Sequence, residues 1–195
     1  MNSINDPCGT VGKATDPYTQ LLAELQHPHS LKALTLTQPW ATLMAVGAKH
    51  IETRSWSTTH RGLLAIHAAK GFPAWAEDIC QEPFVCGALL DAGYVSRGTT
   101  RTNPRDLPLG QVVAIASLDR VERITQSYPV TKMERAFGDY RVGRFAWHFS
   151  AIYRLTSPIA ARGSLGLWTW DPPVSFWEAV RAAGHEQVQP KETRS

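Results

Sequence analysis

Leu31-Lys32-Ala33-Leu34-Thr35-Leu36-Thr37-Gln38-Pro39-Trp40-Ala41-Thr42-Leu43-Met44-Ala45-Val46-Gly47 sets the pattern of this chain. Residues 31–37 read as a strand that stops at Gln38-Pro39. Residues 40–46 follow as a short helix. Pro39 stands at its first turn, where a missing N–H costs nothing, and Gly47 stands at the C-cap. Working outward, residues 50–56 are extended, 58–62 form a turn and 63–68 a buried strand. Residues 71–95 carry helical spacing through Trp75, Ile79, Phe84, Ala88 and Leu89. A polar loop at 96–109 leads to a strand at 111–124, and a mixed loop at 125–143 leads to another at 144–155. Residues 158–170 read as a closing strand with glycine bends, and 174–183 as a terminal helix. Five or six short strands with two interspersed helices, joined by turns rather than regular crossovers, predict an α+β chain. The arrangement favoured is a small, mostly antiparallel β-barrel.

The chain has 195 residues, enough for one domain with a core that needs no disulfide or metal staple. Residues 1–30 read as a flexible N-terminal extension with a helical patch at 18–26. Residues 31–170 read as the domain, and 171–195 as a short helix and polar tail. Apolar runs reach only about five residues, against the roughly 20 that span a bilayer. Residues 1–30 lack the basic start and apolar middle of a signal peptide, so the expectation is a cytoplasmic protein without a membrane role. Cys8, Cys80 and Cys86 are too few and wrongly spaced for a zinc site and are expected as reduced thiols. The seven histidines show no i, i+4 pairing, so no metal or other cofactor is expected.

The formal net charge of +3 hides an uneven distribution. Residues 31–170 hold 16 basic and 10 acidic groups, and 12 of the basic ones are Arg, while both ends are mildly acidic. Arg presents a planar fork that suits phosphate and stacks on bases. A basic centre is compatible with an anionic partner and equally with an Arg-rich solvated surface. The segment Gly47-Ala48-Lys49-His50-Ile51-Glu52-Thr53-Arg54-Ser55-Trp56 is more specific. Strand alternation sends Glu52, Arg54 and Trp56 to one face and Thr53 to the other, and Lys49 can swing toward Glu52. Such a cluster suits nucleobase binding, with Trp stacking, Glu accepting from an amino group and Arg holding a phosphate or carbonyl. It also suits catalysis by Lys49 and Glu52, or a plain salt-bridge network.

Several motifs recur in order. They are Leu36-Thr37-Gln38-Pro39-Trp40-Ala41, then Gly47-x-Lys49-x-x-Glu52-x-Arg54, then Arg61-Gly62-x-Leu64-x-Ile66-His67-Ala68. Gly143-Arg144-Phe145-Ala146-Trp147 and Arg162-Gly163-x-x-Gly166-Leu167-Trp168 follow. Together they resemble the ASCH domain over roughly residues 31–170. The resemblance implies a PUA-like fold and a cleft beside the barrel lined by Lys49, Glu52 and Arg54. It also implies binding of RNA or a modified nucleotide, or hydrolysis of an acylated nucleoside or of RNA. Family members that cleave acylated cytidine use Lys-x-x-Thr; here Glu52 stands where that Thr would. The ligand-binding candidates are therefore Gln38, Trp40, Lys49, Glu52, Arg54, Trp56, Arg61, His67, Arg144 and Arg162, with Lys49 and Glu52 catalytic if the chain is an enzyme. Trp40, which opens an amphipathic helix, and His67, which ends an apolar strand, read more readily as core residues. Arg97, Arg101, Arg105, Lys132, Arg135, Arg141 and Arg144 form either a solvated face or a backbone track. RNA or a nucleotide-like molecule is the favoured partner, and a protein partner is the remaining alternative.

Overall fold

β1 (Leu31–Leu36) and α1 (Trp40–Ala45) form where the spacing predicts them in the computed structural model, which describes residues 30–94 and 106–182. A cis Gln38–Pro39 peptide joins them. Gly47 adopts φ +73°, and its N–H donates to Met44 O at 2.9 Å, closing the helix as a residue without Cβ does best. Then follow β2 (Ile51–Arg54), β3 (Gly62–Ala68), α2 (Ala74–Gln81), α3 (Pro83–Asp91), β4 (Gln111–Arg123), α4 (Lys132–Ala136), β5 (Phe145–Ala160), β6 (Leu167–Trp170) and α5 (Val174–Ala182).

The strands build one sheet in the order β2-β5-β4-β3-β1-β6. All ladders are antiparallel except β1–β3, which is parallel from Lys32↔Leu64 to Leu36↔Ala68. The α+β class and the antiparallel majority agree with the sequence; closure into a barrel is not observed. No ladder joins the edge strands β2 and β6 among the described residues, so the sheet is open and mixed. It does curl. The β4–β5 register shifts at Val112/Ala114, Ser117/Leu118 and Leu118/Arg120, and β3–β4 shifts at Ile66/His67. Such irregularities bend strands and increase twist. The curl carries β2 back to the C-terminal end of β1, where Arg54 Nη2 donates to Thr35 O at 2.8 Å. A side chain, not a backbone ladder, makes that contact, and a cleft remains between the two strands.

Side-chain alternation divides the core. Leu34, Leu36, Leu64, Ile66, Ala116, Leu118 and Trp147 pack with Met44 of α1 on the inner face. Leu31, Ala33, Ala65, Ile115 and Trp170 pack against Phe176 of α5 on the other. A third cluster joins Leu43 of α1, Cys80, Val85 and Leu89 of α2 and α3, and Phe137. The helical spacing over 71–95 resolves into two helices because Pro83 forces Glu82 into an extended ψ of 134°. The mixed loop at 125–143 contains α4, which Thr131 caps by accepting from Glu134 N at 3.1 Å. The strand from 144 runs on through Pro158, and the closing strand shortens to β6. Cys80 is buried and Cys86 partly so, and neither is in a disulfide. Burial pushes the Cys80 thiol up to about 11. Residues 1–29, Cys8, the Arg97, Arg101 and Arg105 group, and the tail after Gly184 lie outside the described residues.

Candidate functional site

Lys49 follows the Gly47 turn, and its ammonium enters the protein rather than solvent; the residue is 0% exposed. Its Nζ donates to Ile51 O at 2.5 Å and to Phe137 O at 2.6 Å, and lies 3.4 Å from Glu52 Oε2. Three N–H bonds thus face three oxygens, which is what a buried ammonium requires. Glu52 is 8% exposed and its other oxygen lies 3.1 Å from Arg54 Nε. That Nε–H is buried and outside hydrogen-bonding geometry, and it has no acceptor among the described residues. The expected convergence of ammonium, carboxylate and guanidinium is present, with Lys49 beneath the surface and Glu52 and Arg54 at it.

Thr53 faces the other way, as alternation requires. Its Oγ1 accepts from Asp139 N at 3.0 Å. Arg144 Nη2 donates to Thr53 O at 3.1 Å, and Arg144 Nε lies 3.4 Å from Asp139 Oδ2. A Cβ at Gly138 would sit 3.3 Å from Thr53, so residues 137–139 press closely on β2. Glu134 fastens the same loop to the start of β2: Oε1 accepts from His50 N at 2.6 Å and Oε2 from Tyr140 Oη at 3.3 Å. Burial, then the Glu134 carboxylate, holds the Tyr140 hydroxyl protonated far above its usual range.

These groups line a cleft of about 500 Å³ between β1, β2, α2 and residues 136–139. Its walls include Thr35, Trp40, Glu52, Arg54, Trp56, Trp75, Asp139 and Arg144. Trp56 is braced edge-on by buried Trp147, ring centroids 4.7 Å apart. Trp75, on the first turn of α2, is 50% exposed. Three indoles and four charged side chains therefore share one concave surface. Its two carboxylates and two guanidiniums already pair, so the interior is close to neutral.

Among the residues expected from sequence, Trp40, Glu52, Arg54, Trp56 and Arg144 line the cleft, and Lys49 lies beneath Glu52. Gln38 is elsewhere: fully buried, it donates to Pro108 O at 2.8 Å and accepts from Thr42 N at 3.0 Å, bracing the start of α1. Arg61 is exposed and bonds its own turn through Thr58 O and His60 O. Arg162 is exposed and away from the cleft lining. His67 is 2% exposed behind Thr35, its Nε2 3.1 Å from Ala161 O and its ring edge-on to Trp168. Burial lowers its pKa, so the ring is a neutral core histidine. Trp147 and Trp170 are buried, and neither they nor Trp168 lines the cleft. Sequence reading missed Thr35, Trp75, Ile79 and Asp139. Trp75 matched the apolar spacing of a helix, and nothing in that spacing separates a core indole from one facing a cleft.

A family model of the ASCH domain matches residues 34–156. The match spans the strands, loop and α1 that build the cleft. The chain is also similar to activating signal cointegrator 1 from Mus musculus, at 36% identity over 86 residues. The human protein of that name matches at 35% identity over 86 residues. Each alignment covers 44% of this chain and 13% of the relative, so the similarity spans a small part of those longer proteins.

Proposed function

Since the chain belongs to the ASCH-domain family, we propose that it binds single-stranded RNA or a nucleotide-like ligand through the cleft between β1, β2 and α2. The observation that carries this reading is the convergence of Glu52 and Arg54 with Trp40, Trp56 and Trp75 on one surface of about 500 Å³. Indoles offer stacking faces to bases. A carboxylate beside a guanidinium offers acceptors and donors to a base edge. Arg61, Arg141 and Arg162 are exposed and open to a phosphate backbone. Lys49, fully buried with two donors on backbone carbonyls and its charge paired with Glu52, supports a holding site over an amide hydrolase or ribonuclease that would need it as a free base.

The test is fluorescence anisotropy of a labelled mixed-sequence RNA single strand over a range of salt. Log affinity is expected to fall with log salt by about 0.7 per neutralised phosphate. Arg54→Ala is expected to weaken binding at least about fivefold, the loss of one good polar base contact. Absent or salt-independent binding would overturn the reading.

A further inference from the structure

Glu52 is an unusual buried carboxylate. Among the described residues it has two ion-pair neighbours, Lys49 at 3.4 Å and Arg54 at 3.1 Å, and no hydrogen bond. It nevertheless lines the cleft at 8% exposure. A carboxylate accepts through both oxygens, so unused lone pairs face the cavity. Beside it the Arg54 guanidinium lines the same cleft with its side chain 24% exposed. Buried polar groups are ordinarily satisfied, and a pair left open in a cleft describes the complement of what fills it. That complement is an array of one acceptor next to two donors, on a flat molecule that fits among indoles. It is uncharged, because Arg54 and Arg144 already stand beside Glu52 and Asp139.

We propose, resting on the reading of the cleft as a nucleotide site, that it selects a guanine-type base with an unpaired edge. The guanine carbonyl accepts from the exposed part of the Arg54 guanidinium. The adjacent ring N–H and exocyclic amino group donate to the two oxygens of Glu52. Trp75 provides an exposed stacking face at the mouth. The other bases fail for stated reasons. Uracil offers one N–H between two carbonyls and turns an acceptor toward the carboxylate. Cytosine and adenine turn a ring nitrogen lone pair toward it. Hypoxanthine keeps the carbonyl and ring N–H but lacks the amino donor, leaving one carboxylate oxygen unmatched. Such mismatches at a buried polar site cost more than lost contact area, because the site group is left desolvated. A guanine within a duplex has this edge covered, so the site takes single strands or free nucleotides.

The experiment uses the full chain and a set of uridine oligonucleotides about ten residues long. Each carries one central guanosine, inosine, adenosine or cytidine, or is all uridine. Backbone attraction is common to the set, so differences report the base. The guanosine oligonucleotide is expected to bind about tenfold more tightly than each of the others, inosine included, as a bidentate base contact implies. Glu52→Gln, which replaces one acceptor with a donor, is expected to flatten the series, and far-UV circular dichroism checks that this variant folds. If Glu52→Gln unfolds, the wild-type series still decides. Equal, salt-dependent binding across the set, or preference for adenosine or cytidine, overturns the guanine assignment and leaves nucleic-acid binding standing. Absence of binding by any member overturns both.

Discussion

Lys49 illustrates how one residue shapes the cleft without facing it. Its ammonium neutralises Glu52 from below and ties β2 to residue 137 through two carbonyls. Removing one partner of a buried ion pair strands the other charge, a loss of about 3–5 kcal/mol. Lys49→Met, which keeps the length and discards the charge, is therefore expected to lower unfolding free energy by that order in urea titrations. A change under about 1 kcal/mol would mean that Glu52 is solvated rather than held by Lys49. Gly163 shows the same dependence on exact contact. A Cβ there would lie 2.4 Å from His67 Cε1 and 3.0 Å from Thr35 Oγ1, so even alanine must displace the imidazole behind the cleft wall. The Lys49, Glu52 and Arg54 grouping is legible in sequence because it rests on strand alternation and a spacing of three. The burial of Gln38 is not, because its partner Pro108 is 70 residues away.

At the scale of elements, β2 is only four residues long, yet it is held from several sides. It pairs with β5 from Ile51↔His148 to Arg54↔Phe145 and receives Arg144 and Asp139 from the loop that follows α4. Thr131 begins that loop's helix as an N-cap, while the Glu134 side chain leaves the helix to accept from His50 N. α2 is different in kind. Ala76 and Cys80 on one side are buried, while Trp75 projects half-exposed toward the cleft. Trp75→Ala is therefore expected to alter thermal stability little, within about 0.5 kcal/mol as for surface substitutions generally. It should cost about 1–3 kcal/mol of single-strand affinity, the range for a lost base–aromatic stack. Calorimetry and anisotropy on the same variant separate the two. Equal affinity with and without the indole would remove α2 from the site. Helical spacing in the sequence correctly marks 71–95 as helical, but the break at Glu82–Pro83 and the exposure of Trp75 depend on what packs against each turn.

For the molecule as a whole, the buried His67 and the partly buried His148 give folding a pH dependence with a definite sign. His67 and His148 both titrate below their usual 6.5, each chiefly because burial disfavours the imidazolium, with Arg120 adding to the effect at His148. Between those lowered values and 6.5 the unfolded chain binds more protons than the native one, so stability falls as pH drops through and below 6.5. Asp139 and Glu122 are shifted down from 3.8 and 4.5, the first chiefly by its hydrogen bond from Arg141 and the second by Arg120 and His148 against an opposing burial effect. Their contribution is lost in a separate, more acidic window. Urea midpoints between pH 7 and 5.5 should decline, and His67→Gln should flatten that decline; an unchanged slope would show that His67 takes up its proton alike in the native and unfolded states. At this scale the division between chain and fold is plain. Local periodicity determines most of the elements, and the spacing of Gly47, Lys49, Glu52 and Arg54 determines which charges share a strand face. It is local because both depend on residues within a turn or two. Tertiary structure alone decides that the sheet stays open and that Arg54 reaches Thr35. It also decides that Trp75 and Asp139 join the cleft while Gln38, Arg61, His67 and Arg162 do not. Those outcomes follow from bulges that curl β4 and β5, and from contacts between segments far apart in the chain, which no repeat of two or 3.6 residues encodes.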